Sequence, residues 1–256
     1  MKLLVIFVLL ISVFSVQAED RRYQNLYRAE KNKFLVEGGY EFINFQGESS
    51  SNDNVDFSYT YTNLRLEYGL RDDLALGIEG VYQVFSDSEG MGDYQYFLRG
   101  QYRQFFYEFR YYHSYEEQTD DNTVSGGNHY SIELGYALNG YGARYFYLPA
   151  YDYEFEDDNT DYENRGSNIF EVFYEHLRND QTYGIALVRN EFVGTEEDGE
   201  ELSESSIYFG TRLYAAIPLM GVDFLPTISY NNLVSDNNSF DELYFTNLEL
   251  KVRYEF

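Results

Sequence analysis

The sequence predicts an all-β protein, a transmembrane antiparallel up-and-down β-barrel of about twelve strands. Three observations carry this. Almost every strand-length stretch alternates apolar with polar residues, and side chains alternate sides along a strand, so each stretch has one apolar and one polar face. Long polar loops rich in Ser, Asn, Asp and Glu alternate with turns of two to four residues. The 256-residue chain carries 29 Tyr and 21 Phe but no Trp, no Cys and only 3 Pro, at a mean hydropathy of -0.50. A soluble sandwich would need a second layer over every one of those apolar faces. A barrel needs only lipid outside and water or polar side chains inside, and its mean hydropathy can be low because only alternate residues meet lipid.

Residues 1–18 read as a cleaved signal peptide. Lys2 is the positive start, residues 3–16 are the apolar stretch, and Val16, Gln17 and Ala18 form a small-residue cleavage site before Glu19. The apolar run is shorter than the ~20 residues of a spanning helix, and no other run approaches that length. The lack of cysteine excludes disulfides and thiolate chemistry in the exported chain. The formal charge is -26. Phosphate contacts are made chiefly by Lys and Arg, so nucleic acid is excluded as a partner. Three uses of the acidity stay open: loop solubility, divalent-cation bridging to lipopolysaccharide, and selectivity at a pore mouth. Residues 19–33 are polar and without period, a short lead-in, and residues 34–256 form the barrel.

The first strand, 34–45, places Val36, Gly38, Tyr40 and Phe42 outward and Glu37 and Glu41 inward. After a loop at 46–56, the second puts Thr60, Thr62, Leu64, Leu66 and Tyr68 outward, with Arg65 and Glu67 inward. Phe57, Tyr59 and Tyr61 are out of phase with that outer face, which assigns them to a protruding rim or to a place above a bulge. A compact turn at 70–74 leads to the third strand, with Leu74, Leu76, Ile78, Gly80 and Tyr82 outward and Glu79 inward. Beyond a loop at 86–92, the fourth strand (93–103) turns Tyr96, Leu98, Gly100 and Tyr102 outward and Arg99, Gln101 and Arg103 inward. A tight turn near Gln104 gives the fifth, where Tyr107, Phe109 and Tyr111 alternate with inward Glu108, Arg110 and Tyr112. A third loop (116–127) precedes the sixth strand (128–138), with Ile132, Leu134, Tyr136 and Leu138 opposite Ser131 and Glu133. Asn139-Gly140 is the pair that a type I′ hairpin turn favours.

The seventh strand (141–155) carries Tyr141, Ala143, Tyr145 and Tyr147 outward and Arg144 inward, and Pro149 puts its far end in the rim. An acidic fourth loop (156–166) precedes the eighth and ninth strands (167–178 and 181–193), joined at Asn179-Asp180, whose facing is ambiguous. After an acidic fifth loop (194–203), the tenth strand has Ile207, Phe209, Thr211, Leu213, Ala215 and Ile217 outward and Arg212 inward. A turn at 218–221, the eleventh strand (222–233) and a sixth loop (235–241) lead to the last strand, 244–256. There Tyr244, Thr246, Leu248, Leu250, Val252, Tyr254 and Phe256 make one face. Phe245, Asn247, Glu249, Lys251, Arg253 and Glu255 make the other.

A final strand of this kind, stopping on Phe256, resembles the terminal signature of Gram-negative outer-membrane barrels, whose assembly machinery reads a last strand ending in Phe. Residues 68–77, with Tyr68-Gly69-Leu70 before Leu74, Leu76 and Gly77, resemble periplasmic turns of such barrels. The resemblance implies residence in the outer membrane of a Gram-negative bacterium, and contact with its lipids and lipopolysaccharide. It also implies that Phe256 is the assembly signal for the barrel assembly machinery. Short turns lie in the periplasm and long loops outside in barrels of this class. An even strand number then puts both chain ends, and the lead-in 19–33, on the periplasmic side.

Twelve strands at ~4.8 Å spacing and ~40° tilt give a backbone radius of roughly 12 Å and, after side chains, a lumen at most about 12 Å across. The inward charges from Arg65 and Glu67 to Glu249, Lys251 and Arg253 are the candidate channel lining, with carboxylates and cations in comparable number. Two readings of them stay open. One is a ladder of salt bridges that fills and stiffens the interior, and the other is a polar wall around a passage. Strand number, length and Arg-bearing inner faces resemble the oligogalacturonate-specific porin family and its sialic-acid relatives, which implies a passive channel for acidic sugars. The mixed lining and acidic loops here depart from the basic lining of that family. The expected function is therefore a porin-like passive channel for small hydrophilic solutes. The alternatives are a structural barrel without transport and a lipid-acting outer-membrane hydrolase.

The hydrolase reading turns on His129 and Ser131, spaced so that base and nucleophile share one strand face, as in the His-x-Ser pair of outer-membrane phospholipases and lipid A deacylases that they resemble. Ile132, Leu134 and Tyr136 fix the lipid face of that strand, so His129 and Ser131 point inward, away from lipid. The Asn-Gly that follows the serine in the phospholipases is replaced by Ile132-Glu133, and His113 and Ser114 are neighbours that point to opposite sides. No catalytic residue is expected. The run Glu156, Asp157, Asp158, Asn159, Thr160, Asp161 offers oxygen ligands to a hard cation but lacks the spacing and central glycine of an EF-hand loop. With no Gly-rich phosphate loop either, neither a metal nor a cofactor is expected.

Overall fold

The computed structural model describes residues 26–49, 54–85, 94–113, 115–118, 123–155, 161–164, 166–197, 200–203, 205–235 and 240–256. The chain begins with β1 (Phe34–Ser49), β2 (Asn54–Arg71), β3 (Leu74–Phe85), β4 (Tyr94–Tyr102) and β5 (Phe105–Tyr112). Two short strands follow, β6 (Tyr115–Gln118) and β7 (Thr123–Gly126), then β8 (His129–Leu138) and β9 (Tyr141–Leu148). Another short pair, β10 (Tyr151–Phe155) and β11 (Asp161–Asn164), precedes β12 (Ser167–Arg178) and β13 (Gln181–Phe192). The last short pair is β14 (Thr195–Glu197) and β15 (Glu200–Ser203), before β16 (Ser206–Leu219), β17 (Val222–Ser235) and β18 (Phe240–Glu255). The twelve longer strands form one closed antiparallel barrel, in the ring order β1-β18-β17-β16-β13-β12-β9-β8-β5-β4-β3-β2. Among the described residues no helix is long and apolar enough to cross a membrane; strands do the crossing.

Alternation explains why these segments are strands and where their faces go. Leu64, Leu134, Leu187, Leu213 and Leu250, from five parts of the ring, all stand exposed on the outer wall. Only a lipid solvent suits an apolar surface that continues around a barrel. Asn139 and Gly140 both have positive φ (53° and 82°), the type I′ geometry expected of that pair. The same device recurs at Asn179-Asp180 (50° and 63°) and Met220-Gly221 (53° and 87°), so these short hairpins share one tight turn.

The loop side departs from the sequence reading. The stretches 116–127, 156–166 and 194–203, expected as loops, contain β6, β7, β11, β14 and β15, which join β10 in a second, six-stranded sheet ordered β15-β14-β11-β10-β7-β6. Each of these hairpins continues beyond the barrel wall, so its backbone groups can pair sideways with the next extension. That pairing outweighs the poor strand propensity of Asp and Glu. Pro149 and Ala150 mark where the seventh predicted strand leaves the barrel and becomes β10.

Two further assignments change. Tyr59 and Tyr61 do not lie above a bulge, since the β1–β2 register runs unbroken from Phe34 opposite Tyr68 to Glu48 opposite Asn54. They share the inward parity of Arg65, and Phe45 stacks on Tyr59 at 5.8 Å and packs tilted against Phe245 at 5.0 Å. The ambiguous eighth and ninth strands become β12 and β13, with Phe170, Val172, Tyr174, Tyr183, Ile185 and Leu187 exposed outside and Glu171, Phe173, Glu175, Thr182 and Ala186 buried inside. The signal peptide, the first part of the lead-in (19–25), the loop at 86–92, residues 156–160 of the acidic run and 236–239 of the sixth loop lie outside the described residues.

The barrel closes through β1 and β18, from Leu35 opposite Glu255 to Ser49 opposite Phe240. Phe256 finishes that seam. Its N–H donates to the Phe34 carbonyl and its carbonyl accepts from the Phe34 N–H, both at 2.9 Å, while its ring stacks on Tyr254 and Phe34. Deleting Phe256 is expected to lower the amount of heat-modifiable barrel recovered from outer membranes without reducing export. Normal assembly of the truncated chain would remove Phe256 as the assembly signal.

Candidate functional site: the barrel lumen

The mid-height of the lumen is a belt of ion pairs in three groups. On β2–β5, Arg65 meets Glu67 at 3.0 Å and Glu108 at 3.5 Å, and Arg99 meets the same two carboxylates at 3.6 and 3.4 Å. Arg110 pairs with Glu108 and, at 2.9 Å, with Glu79, while the Arg65 guanidinium lies 3.8 Å from the centre of the Phe97 ring. On β8–β16, Arg144 bridges Glu133 (3.3 Å) and Glu171 (3.1 Å), and Arg212 meets the same Glu171 Oε1 at 2.7 Å. At the seam, Lys251 meets Glu249 at 2.6 Å and Arg253 meets Asp223 at 3.0 Å. Alternation places every one of these side chains. The ladder then sets the partners, for Glu171 stands opposite Arg144 in the β12–β9 register and Arg65 opposite Glu79 in β2–β3.

These groups surround a cavity of about 170 Å³ whose walls include Arg65, Arg99, Arg110, Arg144, Arg212 and Lys251. At 10–15 Å³ or more per enclosed water, that is room for on the order of ten waters or a small polar solute. Of the lining residues expected from sequence, Arg103 departs. It occupies the β4–β5 turn with φ of 57°, its side chain lies 5.4 Å from the outward Tyr102 ring, and it does not border the cavity. Glu79 is buried behind the wall, paired to Arg110. Glu171, 1% exposed, was missed because its strand could not be faced from sequence alone. The inward parity of Arg144 on the adjacent strand is the signal that finds it.

Nearer the loops, His129 stacks between Tyr112 (4.5 Å) and Tyr151 (4.0 Å), and its Nδ1 contacts the Gly127 carbonyl at 2.9 Å. The Ser131 hydroxyl contacts the Tyr112 hydroxyl at 3.3 Å. Each member of the His-x-Ser pair is thus engaged with other groups on the lumen side.

The short-turn end of the barrel holds what sequence reasoning did not foresee. The lead-in does not stay outside; residues 26–30 enter the barrel. Leu26, 3% exposed, packs with the inward Phe106, Ala137, Phe173, Ala186 and Tyr214. Tyr27 borders the cavity from below, with the Arg253 guanidinium 3.3 Å from its ring centre. Arg28 donates to the Gln101 Oε1 at 2.7 Å and to the Asp72 carbonyl at 2.5 Å. The Ala29 N–H donates to Glu67 at 2.6 Å and the Glu30 N–H to Glu255 at 2.8 Å. Gly69 makes the approach possible, because a Cβ there would overlap the carbonyl oxygens of Glu30 and Ala29. The lumen is therefore a polar vessel with a floor made by its own chain.

No protein-family model matches the sequence, and no curated protein matches it. Among solved structures, an outer membrane channel from Pseudomonas putida F1 matches with a TM-score of 0.57 at 13% identity, over 90% of this chain and 98% of that one. The translocator domain of the autotransporter NalP from Neisseria meningitidis matches with a TM-score of 0.50 at 11% identity, over 89% of this chain and 90% of that one. At these identities the likeness is one of fold, and the chain has the fold of outer-membrane β-barrels.

Proposed function

We propose that this chain is an outer-membrane barrel acting as a passive, porin-like channel for small hydrophilic solutes. The observation that carries the reading is the cavity at mid-height, walled by charged side chains and not filled by apolar ones. A barrel with a purely structural role needs no such space. The ion pairs hold the wall charges in place while leaving their outer edges to water. Catalysis is not part of the proposal, since His129 and Ser131 face the lumen and are engaged elsewhere. The test is conductance of the refolded protein in planar bilayers, where discrete ohmic steps are expected. Silence from the full chain and also from Gly69→Val, the variant that unseats the lead-in, would sink the reading. A phospholipase assay with Ser131→Ala as control would then decide for or against the hydrolase.

The narrower kinship, with oligogalacturonate-specific porins, makes a different electrical forecast. The belt pairs cations with carboxylates group by group, so it leaves little net field. The net field is then expected from the acidic stretch 194–203, in which the sequence sets Glu196, Glu197, Asp198, Glu200 and Glu201. Reversal potential under a KCl gradient is expected to show modest cation preference at low salt. It should fade toward 1 M as the Debye length falls from about 10 Å at 0.1 M to about 3 Å. Replacing those five carboxylates by amides should reduce it. Anion preference at low salt would favour the acidic-sugar kinship.

A further inference from the structure

We infer that residues 26–30 are a displaceable plug, closing the periplasmic end of the lumen at rest and swinging out about Asn32 to let solute pass. The inference rests on the channel reading. It starts from how the segment is held. The charged barrel groups Glu67, Glu255 and Arg253, which it engages, each keep another partner when it leaves. Glu67 retains Arg65 and Arg99 at 3.0 and 3.6 Å, and Glu255 retains Lys33 at 3.2 Å. Arg253 retains Asp223 at 3.0 Å; the uncharged Gln101 loses the Arg28 donor at its Oε1, while its Nε2 still donates to the Arg103 carbonyl at 2.7 Å. The Asp72 carbonyl sits in a turn at the barrel end, where water can replace Arg28. A permanent filler would be built into the wall by charges that depend on it, because a buried charge left alone is costly. Here departure strands none of them.

The backbone is suited to the movement. Among the described residues the segment joins the wall by one isolated bridge, Lys31 beside Gly69, with the Asn32 N–H donating to the Gly69 carbonyl at 2.8 Å. Asn32 has φ of 63°, a left-handed residue between the segment and β1, so a change at this one position redirects everything before it. Leu26 and Tyr27 supply the seal. Leu26 fills the apolar pocket among Phe106, Phe173 and Tyr214, and Tyr27 faces the polar cavity.

The chain has no cysteine, so Leu26→Cys gives a single thiol that reports seating by its rate of labelling with a polar thiol reagent. Gly69→Val puts side-chain atoms where the Glu30 and Ala29 carbonyls lie, while a strand position accepts valine. It is expected to speed labelling and to raise conductance by about threefold or more, as the floor of a lumen roughly 12 Å across is cleared. Arg28→Ala, which removes the bonds to Gln101 and Asp72, should act in the same direction and serves if the valine variant does not fold. In Leu26→Cys/Ala137→Cys, a reducible bis-thiol spacer joining two members of one apolar cluster should close the channel until it is cut. A tethered barrel that conducts like the untethered one overturns the plug and leaves the channel standing. Faster labelling with an unchanged, non-zero conductance does the same. Faster labelling with silence in every variant overturns the channel, and the plug's gating role with it.

Discussion

Glu171→Gln is expected to destabilise the barrel by about 3–5 kcal/mol, the cost of removing one member of a buried ion pair. Glu171 is 1% exposed and is the carboxylate that Arg144 and Arg212 share, at 3.1 and 2.7 Å. Arg144 keeps Glu133 at 3.3 Å, so most of the loss falls on Arg212, whose Nε is already buried without a hydrogen-bond partner. Adding Arg212→Met to Glu171→Gln should therefore recover a good part of the stability. Urea unfolding in lipid vesicles, followed by heat-modifiable mobility, measures both. A loss below about 1 kcal/mol for the single variant would mean that lumen water screens the belt as it does a surface pair.

Leu250→Arg should cost about 2–4 kcal/mol in the same assay, the range for a cation on the lipid face near the bilayer midplane. Leu250 is 51% exposed on the outer wall, beside Tyr40 of β1 and Pro226 of β17 in the ladder. The control is Thr227→Arg, one strand over and of opposite facing. Thr227 borders the cavity and stands opposite Glu249, so an arginine there has both water and a carboxylate within reach. Its cost should be far smaller. Equal costs would overturn the assignment of inside and outside on β17 and β18.

The wall was legible in the sequence because lipid and water impose a two-residue period that needs no tertiary knowledge. Leu248, Leu250 and Val252 against Glu249, Lys251 and Arg253 is the clearest run, and Asn139-Gly140 named its own turn. Legibility failed where the lumen is not polar. Phe173 and Ala186 face inward because Leu26 packs on them, so β12 and β13 have apolar residues on both faces. The period then no longer says which face is out. The lead-in carries no period at all, since five residues crossing a lumen are neither strand nor helix. Gly69 was the available hint, an inward glycine near a strand end that only a close backbone approach explains. Arg103 followed its strand's parity one residue too far, into a turn. The acidic extensions hid for another reason: their pairing partners are each other, across three hairpins far apart in sequence.

Chain termini are commonly where a fold comes apart first. In this ring the first and last strands meet in one of its longest zips, from Leu35 opposite Glu255 to Ser49 opposite Phe240. The described β3–β4 ladder, by contrast, runs only from Leu74 opposite Gly100 to Gly80 opposite Tyr94, and β8–β9 from Ile132 opposite Tyr147 to Leu138 opposite Tyr141. A hoop under strain parts where fewest hydrogen bonds hold it. The first and last strands thus form one of its best-fastened joints, and any sideways opening toward lipid belongs to the β3–β9 arc, away from that seam.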